Sequence, residues 1–130
     1  MVEKQIKKKK ILVVEDERSL LQVITDDLTK EGFNVVVAKN GEDGLKLALK
    51  ERPDLILLDI LMPKMNGMEM LKELRKDRQG KNIPIIILTN FEDTEKVAEA
   101  LEDGVYDYLV KADFNLKDVI KRIKEKLEIN

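Results

Sequence analysis

The 130-residue sequence predicts an α/β fold, a three-layer doubly wound sheet of five parallel strands covered on both faces by five helices. Three observations predict it. Short β-branched and Leu-rich runs alternate with amphipathic segments from one end of the chain to the other. The first, third and fourth of these runs are almost wholly apolar, the pattern of strands buried on both faces by helices. Turn-forming residues fall between the segments, at Glu31-Gly32, Asn40-Gly41, Arg52-Pro53, Asn66-Gly67 and Gly80.

Taken in order, the first strand is Ile11–Val14, and Leu20, Ile24 and Leu28 mark the apolar stripe of the helix after it. Asn34–Ala38 forms the second strand, followed by a helix carrying Leu45, Ala48 and Leu49. The third strand, Leu55–Leu58, leads to a helix lined by Met68, Leu71 and Leu74. Ile85–Leu88 is the fourth, with Val97, Ala98 and Leu101 on the next helix, and Tyr106–Val110 is the fifth. The last helix has the clearest stripe: Leu116, Val119, Ile120, Ile123 and Leu127 recur at helical spacing. Its other face offers opposite charges four apart, Asp118 with Arg122, Lys121 with Glu125 and Lys124 with Glu128, which describes a solvated surface. Parallel strands joined by helices require right-handed crossovers.

Composition limits the function. With 43% hydrophobic and 38% charged residues the chain is globular, and its length suits one domain, residues 1–130, with residues 1–9 as a basic tail. From that length we expect no attached output domain. A net charge of −2 argues against general attraction to nucleic acid or an anionic membrane. No apolar run is long enough to span a bilayer, and the basic run Lys7 to Lys10 lacks the features of a signal peptide, so the cytoplasm is the expected location. The chain has no cysteine and no histidine, which excludes disulfides, thiol catalysis, a phosphohistidine carrier, a Ser-His-Asp triad and the common zinc sites.

Ligands of such sheets bind beyond the carboxyl ends of the strands. The residues just after the apolar runs are Glu15-Asp16-Glu17 after the first, Asp59 after the third, Thr89 after the fourth and Lys111 after the fifth. Each has an ordinary explanation by itself: Asp16 or Glu17 as a helix-start residue, Asp59 as a turn residue before Pro63, Thr89 as a strand-end residue, Lys111 as a surface lysine. Together they put several carboxylates, a hydroxyl and an ammonium at one sheet edge. Clustered carboxylates suit a hard divalent cation such as Mg2+, which takes oxygen ligands. With it, the Asp59 carboxylate is suited to attack phosphorus, while Thr89 and Lys111 meet the remaining phosphoryl oxygens.

Four motifs carry a resemblance: Ile11 to Glu17 (ILVVEDE), Leu57 to Pro63 (LLDILMP) with Asn66-Gly67, Ile87 to Thr89 (ILT), and Asp107 to Lys111 (DYLVK). In this order they resemble the CheY-like receiver domains of two-component signalling, over roughly Lys10 to Leu127, here as a stand-alone domain. The resemblance implies the strand order 2-1-3-4-5. It implies that Asp59 accepts a phosphoryl group from a sensor histidine kinase or a histidine phosphotransfer protein. Asp16 and Asp59 would ligate Mg2+ with the backbone carbonyl of Leu61, and Glu15 would act directly or through water. Thr89 and Lys111 would contact the phosphoryl group, and Tyr108 matches the aromatic residue whose rotamer follows Thr89. Readout to a downstream effector protein would run through the fourth helix, fifth strand and fifth helix. Such a protein is a phosphoacceptor switch that catalyses only its own phosphorylation and dephosphorylation. One position departs from the family, in which a cis proline usually follows the lysine; here Ala112 follows Lys111.

Three other readings fit parts of the sequence. A flavodoxin-like binder of the same architecture would want a Ser/Thr/Gly-rich phosphate loop after the first strand, where Glu15, Asp16 and Glu17 stand. A phosphatase of the haloacid dehalogenase type needs a second aspartate two residues after the nucleophile, where Leu61 stands. A receiver-like interaction module that works without phosphorylation would need none of the acidic set.

Overall fold

The computed structural model describes residues 9–60, 65–89, 94–102, 104–110 and 115–129. In chain order the elements are β1 (Lys10–Val14), α1 (Arg18–Lys30), β2 (Asn34–Ala38), α2 (Gly41–Glu51), β3 (Leu55–Asp59), α3 (Gly67–Lys76), β4 (Ile85–Thr89), α4 (Thr94–Glu102), β5 (Asp107–Val110) and α5 (Leu116–Leu127). The strands form one parallel sheet in the order β2-β1-β3-β4-β5. Asp59 and Thr89 are therefore the last residues of their strands rather than the first residues after them. Tyr106 lies just outside β5, although its N–H still donates to the Ile85 carbonyl at 2.9 Å.

Side chains alternate across a strand, so each buried strand feeds two cores. Leu12, Val14, Ile56, Leu58, Ile85 and Ile87 pack with Ala48 of α2, Met70, Leu71 and Leu74 of α3 and Ala100 of α4. On the opposite face Ile11, Val13, Leu55, Leu57, Ile86 and Leu88 pack with Leu21, Ile24 and Leu28 of α1 and Val119 and Ile123 of α5. This is the predicted three-layer arrangement. Leu71 is fully buried between α3 and the sheet. Its replacement by alanine should cost about 2–5 kcal/mol, because a cavity adds to the lost burial. The midpoint of urea unfolding measures that loss.

Some helix faces differ from the expected ones. In α1 the buried stripe runs through Leu21, Ile24 and Leu28, with Leu20 only half-buried at its margin. In α4, Ala100 is buried and Ala98 exposed, because Ala100 continues the face of Val97 one turn on. The charges of α5 also find partners on other elements. Arg122 pairs with Asp107 of β5 at 2.5 Å, and Lys124 pairs with Glu31 after α1 at 2.6 Å. These contacts join α5 to the sheet edge and to the end of α1, which spacing along one helix does not reveal.

The amino ends of the strands are tied in a similar way. The Lys10 N–H donates to Asp54 Oδ2 at 2.7 Å, and Lys10 Nζ pairs with Glu51 Oε1 at 2.8 Å. That hydrogen bond and the lysine charge hold the Glu51 carboxyl below its ordinary value of 4.5. Its stabilising contribution is thus present above the unfolded-state pKa and is lost as pH falls through the lower folded value. Arg75, on α3, donates to the carbonyls of Gly80 and Ile83 and to that of Gly104. It thereby joins the connection entering β4 to the one entering β5.

Candidate functional site

Strand pairing brings the acidic residues together. Val14 is opposite Leu58 in the register and Asp59 opposite Leu88, so the chain leaving β1 passes the end of β3. Among the described residues, Glu15, Asp16 and Asp59 form an acidic group in which one carboxylate oxygen from each lies within 4.8 Å of the others. Glu15 is 0% and Asp59 3% exposed, whereas Asp16 faces solvent. Exposed acidic clusters are common. Two buried members are not, since a desolvated carboxylate needs compensating interactions.

The local backbone explains how Glu15 is held. Its N–H donates to the Ala38 carbonyl at 3.0 Å, extending the β1–β2 ladder by one residue. Its Oε2 accepts from the Glu17 N–H at 2.9 Å. Glu17 is the N-cap residue of α1 but makes no side-chain cap hydrogen bond. A side-chain cap therefore does not account for Glu17. Asp16, placed between the two, is left pointing its carboxylate toward the cluster.

At the other side, Asp59 is followed by Ile60, whose carbonyl accepts the Gly67 N–H at 2.8 Å. Asn66 begins α3 with a capping box: its side chain accepts from the Glu69 N–H, and Glu69 Oε1 accepts from the Asn66 N–H. A Cβ on Gly67 would stand 2.3 Å from the Asp59 carbonyl oxygen and 2.8 Å from Ile60 Cα. Glycine is required here for close backbone approach. Residue spacing marked Asn66-Gly67 as a junction, but gave no sign that Gly67 packs against the main chain of Asp59.

The backbone of Thr89 lies one residue beyond Leu88, the partner of Asp59, and opposite Val110. Lys111 comes next after Val110 in the chain; Lys111, Ala112 and Leu61 lie outside the described residues. Tyr108 is in β5, opposite Ile87, and is 42% exposed. It sits on β5, the edge strand of the sheet. Among the described residues no helix is long and apolar enough to cross a membrane.

Oxygens that share one Mg2+ at about 2.1 Å lie about 3–4 Å apart. The three carboxylates are all oxygen donors of the preferred hard type, with one oxygen of each within 4.8 Å of the others. The residues present therefore fit a Mg2+ ion, and its charge would offset their mutual repulsion.

The sequence from 11 to 124 matches the response regulator receiver domain. Alkaline phosphatase synthesis transcriptional regulatory protein PhoP of Bacillus subtilis is 40% identical over 116 residues, which are 89% of this chain and 47% of that protein. The DNA-binding response regulator MtrA of Mycobacterium tuberculosis is 38% identical over 123 residues, 95% of this chain and 52% of the relative. The chain thus spans about half the length of the curated relatives it matches. Among solved structures, the chemotaxis response regulator CheY4 of Vibrio cholerae superposes with a TM-score of 0.82 at 35% identity, covering 90% of this chain and 97% of that one. A CheY-like receiver domain protein of Methanospirillum hungatei gives a TM-score of 0.85 at 32% identity, covering 92% and 94%.

Proposed function

The chain belongs to the response regulator receiver domain family, and from that membership we propose that Asp59 accepts a phosphoryl group from a histidine kinase or histidine phosphotransfer protein. The carrying observation is the buried pair Glu15 and Asp59, grouped with Asp16 at the carboxyl ends of adjacent strands. Response regulators are signalling switches rather than metabolic enzymes, and the reaction proposed is one turnover on the protein's own side chain.

In this reading an Asp59 carboxylate oxygen attacks phosphorus, a P–O bond forms, and the P–N bond to the donor imidazole breaks, with the electron pair leaving on nitrogen. Asp16, Asp59 and the Leu61 carbonyl would hold Mg2+, and Glu15 would act directly or through water. Bound there, the ion supplies charge neutralisation for the incoming phosphate. Thr89 would donate its hydroxyl and Lys111 its ammonium to phosphoryl oxygens. Each bond made only in the phosphorylated state shifts the equilibrium between two conformations. The face of α4, β5 and α5, including Tyr108, would carry that shift to an effector protein. The PhoP and MtrA relatives are by name transcriptional and DNA-binding regulators; no DNA contact is proposed for the half that this chain matches.

Two measurements bear on this reading. Beryllofluoride with Mg2+ should move amide signals around Asp59 and along β5 and α5 in a 1H–15N spectrum. An unchanged spectrum would instead favour an interaction module that works without phosphorylation. Mg2+ alone should also stabilise the fold, by about 2.7 kcal/mol at about 100 times its dissociation constant. In urea unfolding Asp16→Asn should lose most of that gain, yet be at least as stable as wild type in chelator because one repelling charge is gone.

A further inference from the structure

The end of β2 and the start of α2 supply none of the side chains assigned to the acidic site, yet their main chain bonds to Glu15 and to the residues just before α3. The Ala38 carbonyl holds the N–H of Glu15 at 3.0 Å. Two residues past Lys39, the Gly41 N–H donates to the Met65 carbonyl at 2.8 Å. We infer that Gly41 is a positioning residue of the Mg2+ site, acting through the start of α3, which packs on the main chain of Asp59; this rests on the function proposed above.

Contact distance accounts for the glycine. A Cβ at position 41 would stand 2.1 Å from the Met65 carbonyl oxygen, 2.8 Å from its carbon and 3.0 Å from the Asn66 oxygen. Those atoms are backbone and cannot step aside by changing rotamer. Backbone conformation is not the reason, because among the described glycines only Gly32 and Gly104 have positive φ. Gly41 is itself fixed by its neighbour. Asn40 is 9% exposed; its Oδ1 accepts from the Asp43 N–H at 2.8 Å, and its Nδ2 donates to Asp43 Oδ2 at 3.1 Å.

Two glycine N–H groups therefore join the start of α2, the start of α3 and the end of β3. Gly67 holds the Ile60 carbonyl and Gly41 holds the Met65 carbonyl. Gly67 also lies so close to β3 that a Cβ there would stand 2.3 Å from the Asp59 carbonyl oxygen. Displacing Met65 therefore displaces Gly67 and, through it, the backbone of Asp59. The acidic side chains set the charge of the site, and Gly41, on a different element, helps set where the Asp59 backbone stands.

The test compares two alanine substitutions. Gly41→Ala should weaken Mg2+ binding about tenfold, followed by 1H–15N titration, the size seen when groups supporting a metal ligand are removed. In metal-free protein it should also displace the amide signals of Met65 and Gly67. Gly80→Ala is the comparator: its Cβ would meet Leu74 Cδ1 at 2.5 Å and the Leu74 carbonyl oxygen at 2.7 Å, at the opposite end of the sheet. It should lower stability and leave Mg2+ affinity unchanged. In wild type, the Gly41 amide should exchange slowly with solvent. If Gly41→Ala does not fold, Asn40→Ala frees the start of α2 without adding an atom at position 41, and should weaken Mg2+ binding in the same direction. Wild-type Mg2+ affinity in the folded Gly41 variant, equal weakening in both glycine variants, or a freely exchanging Gly41 amide would overturn the inference. Failure of the wild-type protein to bind Mg2+ would overturn the acidic-site reading, and this inference with it.

Discussion

Asp59→Asn should leave the fold intact and remove the response to beryllofluoride and Mg2+ completely. Asparagine has nearly the same shape, so the position, only 3% exposed, needs no repacking. What changes is chemistry: a neutral amide oxygen is neither a nucleophile toward phosphorus nor a ligand for beryllium. The variant also removes one of three carboxylates whose oxygens lie within 4.8 Å of one another, so its Mg2+ affinity should fall as well. In chelator it should be at least as stable as wild type, since less like charge is confined. A 1H–15N spectrum of the variant that still shifts at β5 and α5 on adding beryllofluoride would assign the acceptor elsewhere.

The second large effect runs against helix propensity. Gly67 is the first residue of α3, and alanine is favoured over glycine in helices by about 1 kcal/mol. Here the opposite sign should win. The new methyl would lie 2.3 Å from the Asp59 carbonyl oxygen, and it would also threaten the hydrogen bond from the Gly67 N–H to Ile60. Overpacking of this kind costs about 1–3 kcal/mol where side chains can adjust, and the atoms here are main chain. Gly67→Ala should therefore lose at least about 2 kcal/mol in urea unfolding, and Mg2+ binding should weaken because the displaced backbone belongs to Asp59. A gain in stability would show that the approach of α3 to β3 is looser than described.

The fold was readable because buried parallel strands are long apolar words in a polar text. Leu55 to Leu58 and Ile85 to Leu88 admit few other readings, and the sheet order and layers agree with what they imply. Boundaries were less readable: Asp59 and Thr89 keep ladder pairing while changing polarity, so hydropathy ends each strand one residue early. Leu20 and Leu21 are chemically alike, and only packing on β1 and β3 selects Leu21. Arg122 and Lys124 had plausible partners four residues away, but tertiary contacts supplied Asp107 and Glu31.

For the site, residue type carried much of the information. The grouping of Glu15, Asp16 and Asp59 was expected, because strand ends in a parallel sheet share one edge. The side chain of Thr89, together with Leu61 and Lys111, lies outside what the structure describes, and their roles rest on the proposal. Gly41 and Gly67 were visible only as punctuation. Their contacts are to backbone distant in sequence, and a glycine needed for close approach looks the same in sequence as one needed for a turn.

Of the 26 acidic residues, Asp59 is the one proposed as phosphoryl acceptor. The most direct measurement is to phosphorylate the protein with a small-molecule phosphoryl donor and Mg2+, reduce the acyl phosphate with borohydride, and map the resulting homoserine by peptide mass spectrometry. Mg2+-dependent conversion is expected at Asp59 alone. Conversion at another carboxylate, or none at Asp59 in the presence of Mg2+, would contradict it.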